Sequence, residues 1–135
     1  MAMVQMDLRE IQVSHVAPVH VVVLEERDGA RRFPIYIGQA EAKAADEAVF
    51  GRKAPRPLTH DLIVNVLDGL EAELEGIVVD SLDNDTFHGK LMVRTKEGQH
   101  VKIDTRPSDA IVLAMKAGVP IYVAEEVLDK ASTDT

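Results

Sequence analysis

The chain has no cysteine and no tryptophan. Without thiols there is neither a disulfide framework nor a thiolate metal site, a composition that suits a reducing cytosol. Aromatic residues are only 4% of the chain, too few to furnish the usual stacking platform of single-strand binders. Phe33, Phe50, Phe87, Tyr36 and Tyr122 read mostly as core. There is no zinc spacing, no glycine-rich phosphate loop and no nucleophile elbow. Met1 to Asp7 carries no basic region and no apolar run of signal length, and no segment reaches the length of a membrane span. A soluble, cytoplasmic protein away from membranes is therefore expected. Acids outnumber bases, Asp+Glu 23 against Lys+Arg 15, and the formal net charge of −8 argues against diffuse coating of nucleic acid, which needs many Lys and Arg contacts to phosphate.

What is present suits one folded unit. A length of 135 residues with 46% hydrophobic content supports a single core and is short for two. Residues 1–131 read as the domain and 132–135 as a frayed tail. Val4, Met6 and Leu8, then Ile11 and Val13, alternate like a half-buried strand with an irregularity between them. Val19–Leu24 is an interior strand that turns at Asp28-Gly29 into Arg32–Ile37. Ala40, Ala44, Ala45, Ala48 and Val49 form a helical stripe closed by Gly51. A second helix starts near Leu58 or Thr59, followed by strands at Ile77–Asp80, Phe87–Thr95, Gln99–Asp104 and Val119–Val123, and by a short helix at Glu125–Ala131. The expected class is α+β, with a mainly antiparallel or mixed sheet built from hairpins and about four helices. A hairpin feeding a helix occurs twice, and Pro34-Ile35-Tyr36-Ile37 resembles Pro120-Ile121-Tyr122-Val123, which hints at a diverged duplication.

The most informative stretch is Lys102–Pro120. An alternating strand runs into Arg106-Pro107-Ser108-Asp109, and Ala110 to Met115 follow without a polar residue. Pro107 suits a first helical turn, Ser108 and Asp109 can accept from its free amides, and Gly118 and Pro120 end the helix. A helix apolar on every side has to be the central buried one.

Arg56-Pro57-Leu58-Thr59-His60-Asp61 repeats the same opening: Arg-Pro, a hydroxyl, then an aspartate at a helix start. Helix amino ends attract anions, and arginine adds a permanently charged fork, so each is a candidate phosphate seat. Should the two ends converge, Asp61 and Asp109 can hold Mg²⁺ or Mn²⁺, and His60 can move a proton. A plainer account fits the same residues, since Ser, Thr and Asp are common helix caps and the arginines have Asp61, Asp104 and Asp109 as ion-pair partners. His15, His20, His88 and His100 lack ligand spacing and read as surface or half-buried side chains. Glu41, at the mouth of the alanine-striped helix, can add a carboxylate but reads more as a complement to its helix dipole.

Pro34-Ile35-Tyr36-Ile37-Gly38 with Glu41-Ala42, Arg56-Pro57-Leu58-Thr59-His60-Asp61-Leu62, Asp104-Thr105-Arg106-Pro107-Ser108-Asp109-Ala110-Ile111 and Pro120-Ile121-Tyr122-Val123 resemble, in order and spacing, the bifunctional nuclease domain family. The likeness runs from about Val4 to Leu128. It departs at His88-Gly89, where relatives commonly carry an aromatic and an alanine. The resemblance implies an α+β domain and a nuclease acting on RNA and DNA. It carries the catalytic expectation onto His60, Asp61 and Asp109 and phosphate binding onto Arg56, Thr59, Arg106 and Ser108. Asp61 and Asp109 become the candidate metal ligands, for Mg²⁺ or Mn²⁺. Expected partners are nucleic acid or a nucleotide, with a homo-oligomer open. The alternative is a non-catalytic nucleotide- or anion-binding regulatory or interaction module.

Overall fold

Strand alternation and helix punctuation resolve into eleven elements. The computed structural model describes residues 2–13, 20–51, 55–84 and 86–131. In chain order these form β1 (Met3–Val13), β2 (His20–Glu26), β3 (Arg32–Ile37), α1 (Gln39–Phe50), α2 (Thr59–Gly69), β4 (Glu73–Asp83), β5 (Thr86–Arg94), β6 (His100–Thr105), α3 (Pro107–Ala117), β7 (Ile121–Ala124) and α4 (Glu125–Ala131). The strands make one mixed sheet ordered β3-β2-β1-β7-β4-β5-β6, antiparallel except for the parallel pair β4 and β7. The fold is thus α+β with four helices. The irregularity in β1 is a register shift between Leu8 and Glu10.

The sheet curls. Phe33 on β3 and Phe87 on β5 have four strands between them in sheet order, yet their rings meet edge to face with centroids 5.1 Å apart. The enclosed space holds α3, whose Ala110, Ile111, Val112, Leu113 and Ala114 are all buried. Small side chains let α1 approach it: Ala44 and Ala45 close directly on Val112. Gly118 ends α3 at φ 69°, a left-handed conformation that lets its N–H and that of Val119 reach the Ala114 carbonyl at 2.8 and 3.1 Å. At the far end Arg31 gathers Glu26, Glu125 and Asp129 at 2.6, 2.8 and 3.1 Å, tying α4 to the β2–β3 turn.

Two expectations need correction. β4 is far longer than Ile77–Asp80, because Glu73 and Glu75 pair across the surface with Arg94 and His100. The aromatics are not mostly core: Tyr36 and Phe50 are 69% and 64% exposed. The repeated Pro-Ile-Tyr segments fall at β3, which runs into α1, and at the start of β7, which runs into α4. Val19, His15, Arg52, Lys53, Asp85 and the 132–135 tail lie outside the described residues.

Candidate functional site

The two Arg-Pro segments start α2 and α3, and these starts face each other. A residue before proline is driven to extended backbone, and Arg106 obeys at φ −71° and ψ 142°, with Pro107 opening α3. The sequence suggests that Ser108 and Asp109 cap this turn. Instead, Asp109 turns sideways: its Oδ1 lies 2.9 Å from His60 Nε2, and its Oδ2 accepts Arg106 Nε at 2.9 Å. Arg106 Nη2 then donates to Glu41 Oε1 at 2.7 Å. A line of four polar groups, His60–Asp109–Arg106–Glu41, thus joins α2, α3 and α1.

Burial sharpens it. His60 and Glu41 are 6% and 7% exposed. Burial pushes the Asp109 carboxyl up, but hydrogen bonds from Arg106 and His60 outweigh it and hold the group below its ordinary value. The Asp109 hydrogen bond likewise raises Arg106. An ionised carboxylate can only accept, so His60 donates through Nε2, and in a neutral ring the lone pair is then on Nδ1. Gly38 leaves room for the acid on α1, since a Cβ there would stand 3.1 Å from the Glu41 carboxylate. These groups border a cleft of about 650 Å³ with Thr59 and Asp104 near them and Leu62, Ile63 and Val66 along its apolar wall.

Asp61 belongs to a different place. One residue on from His60, it is turned about 100° around the helix and lines a neighbouring cleft of about 420 Å³ with Arg56 and Lys116. Its Oδ2 accepts the Leu58 N–H at 2.9 Å and its Oδ1 accepts Lys116 Nζ at 2.8 Å. The lysine, mostly buried, also reaches Glu47 at 3.2 Å. Hydrogen bonds from Lys116 and Leu58 lower the Asp61 carboxyl. Burial lowers Lys116 but its two acids overcome that, and it ends raised. Ser108 is buried and lines a third cleft beside Arg106.

Asp61 and Asp109, the expected shared ligands of a divalent ion, therefore line different clefts. Asp61 and Asp109 are each engaged by their own cation, and among the described residues no three His, Asp or Glu side chains gather in a metal-holding arrangement. Glu41, read more as a complement to its helix dipole than as an added carboxylate, is an ion-pair partner of Arg106. Lys116 and Glu47 were not singled out from the sequence at all. Their pairings span 65, 55 and 69 residues, and no local pattern announces them. His20 is buried rather than half-buried, and its two ring nitrogens have no partner among the described residues.

Comparison with known proteins agrees with the sequence reading. The family profile described as Bifunctional nuclease domain matches residues 22–135. A protein of Mycobacterium tuberculosis described as uncharacterized is 40% identical over 111 residues, covering 82% of this chain and 65% of its own length. Bifunctional nuclease 1 of Oryza sativa subsp. indica is 24% identical over 127 residues, 92% of this chain and 38% of the rice protein. Bifunctional nuclease 2 of Oryza sativa subsp. japonica is 27% identical over 111 residues, 79% of this chain and 34% of its own length. The chain thus spans less than two thirds of the length of each of these relatives.

Proposed function

Because the chain belongs to the bifunctional nuclease domain family, we propose that it hydrolyses phosphodiester bonds of RNA and DNA in the cleft where α2 meets α3. The observation that carries the reading is the 2.9 Å contact between His60 Nε2 and Asp109 Oδ1 at the border of that cleft. A carboxylate behind an imidazole fixes its tautomer and stabilises the imidazolium formed when the far nitrogen takes a proton. In the proposed step His60 Nδ1 accepts a proton from the attacking water, whose oxygen bonds to phosphorus while the bond to the leaving oxygen breaks. Water serves as nucleophile on both RNA and DNA, since only RNA carries a 2′-hydroxyl. Arg106 has three N–H groups left after serving Asp109 and Glu41, and they, with the exposed Thr59 hydroxyl, are placed to hold the phosphate. Arg56 meets the neighbouring phosphate, and Asp61 with Lys116 sets the pose of α2. Among the described residues no three His, Asp or Glu side chains gather to hold Mg²⁺ or Mn²⁺, and the steps above are written for protein groups.

Purified variants on labelled single-stranded RNA and DNA test this. His60→Ala and Asp109→Asn are expected to lower cleavage by about 10² to 10⁴, whereas Asp61→Asn costs stability and keeps most of the activity. Cleavage is expected to persist in excess EDTA. Activity that needs added Mg²⁺ or Mn²⁺ and dies with Asp61→Asn would return the two aspartates to the role of ligands. Full activity in His60→Ala sinks the proposal.

A second reading is a non-catalytic nucleotide- or anion-binding module. It is favoured by the ion pairs that already engage both aspartates. Nucleotide binding that survives in His60→Ala, with no cleavage by the wild type, would select it.

A further inference from the structure

In a chain with three phenylalanines, two tyrosines and no tryptophan, three of the five aromatic residues fall along one cleft. Phe33, fully buried, and Phe87, half-buried, meet edge to face behind a cleft of about 670 Å³, and Tyr36, 69% exposed, is the one aromatic side chain among its lining residues that is open to solvent. Single exposed apolar side chains are ordinary on a protein surface and call for no explanation. A concentration of most of a scarce residue type is another matter.

The chemistry of the lining narrows the occupant. Although the chain carries a net charge of −8, no carboxylate lies among the described lining residues; the polar groups are Thr86, Ser108 and Arg106. A flat, uncharged ring with hydrogen-bonding edges, attached to an anion, matches such a wall. Arg106 also borders the cleft of His60 and Asp109, so the two hollows share this side chain and a ligand crossing it occupies both. A volume of this size lies within the range of small-ligand sites.

We propose that this cleft takes an unpaired base of a single-stranded nucleic acid, stacked on Tyr36, while the adjoining phosphate rests at Arg106. The proposal rests on the nuclease reading for the place of the phosphate. Every base offers a π-face, so the subsite selects for single strands rather than for sequence. A duplex keeps both faces of each base covered by its neighbours and has to unstack one to fill the cleft. Backbone contacts alone cannot compensate in a protein this acidic.

Fluorescence anisotropy with three labelled ligands tests the idea: a single-stranded oligonucleotide, the same backbone without bases, and the duplex. Tyr36→Ala is expected to weaken binding of the base-bearing strand about tenfold and to leave the abasic strand unchanged. Tyr36→Phe, which keeps the ring, is expected to restore wild-type affinity, and the duplex to bind more weakly than the single strand. Tyr36 is exposed, so the variants are expected to fold, and thermal melting checks this. Equal affinities of wild type and Tyr36→Ala for the base-bearing strand, or of the wild type for abasic and base-bearing strands, overturn the proposal. So does a Tyr36-dependent self-association in sedimentation with no effect on oligonucleotide binding, which assigns the cleft to a second copy. Cleavage of the same strands separates the two claims. Cleavage without Tyr36 dependence removes the subsite and spares the nuclease reading; Tyr36-dependent binding without cleavage does the reverse. Absence of binding to any strand removes both.

Discussion

Arg106 holds two carboxylates apart from each other's repulsion, and the two are unequal in exposure. Glu41 is almost wholly buried, while the arginine side chain is 68% exposed. Arg106→Ala strands a buried charge, and a loss of about 2 kcal/mol in urea unfolding is expected, the exposed half of the pair keeping the cost below that of a fully buried one. Adding Glu41→Gln to that variant is expected to recover at least half of the loss. The acid limb of the stability profile follows from the same side chains. Asp61 and Asp109 are lowered in the folded state, so as pH falls the unfolded chain takes up protons first. Their contribution is complete above the ordinary aspartate value of about 3.9 and drains away as pH drops through the lower folded values. Lys116 is raised; its contribution is complete below the ordinary lysine value of about 10.4 and is lost above it. Melting temperature against pH is expected to show both descents, the acid one shallower in Asp61→Asn. His60, Asp109 and Arg106 were legible because a helix-start motif marks them within a few residues. Glu41 and Lys116 were not, since their partners are fixed only by packing.

Among the elements, α3 was the most legible, because six successive apolar residues leave a helix no solvent face. Its neighbour α1 was read from small residues at helical spacing, and the reason for their size is the helix behind them. Ala44, Ala45 and Val112 are each 0% exposed, with no space for added carbons. Ala45→Leu is expected to cost about 1–3 kcal/mol by overpacking, while Lys43→Ala on the exposed face stays within about 0.5 kcal/mol; chemical denaturation of the two distinguishes them. The extent of β4 was harder to read. Glu73-Leu74-Glu75-Gly76 alternates exposed and buried as a half-buried strand does, but over too few residues to stand out ahead of the apolar run, and partners on β5 and β6 hold the two glutamates in place.

For the whole molecule, sparse positive charge shapes how it meets a polyanion. With Arg56 and Arg106 as the two phosphate contacts, the logarithm of affinity for single strands is expected to fall with the logarithm of salt at a slope of about −1.4. Titrations at several salt concentrations measure it, and a slope several times steeper would mean that many more cations take part. The class of fold was visible in advance from hairpins punctuated by helices. The strand order was not, because nothing local says that a four-residue strand near the end of the described chain will sit in the middle of the sheet. That strand, β7, pairs antiparallel with β1 and parallel with β4, and it is the sole bridge between β3-β2-β1 and β4-β5-β6 in the sheet order. A ribosome delivers the two trios first and their keystone afterwards. During synthesis each trio therefore carries an open flank at β1 or β4 that no earlier strand closes, and a nascent chain stalled before Ile121 exposes two sticky borders to the surrounding cell.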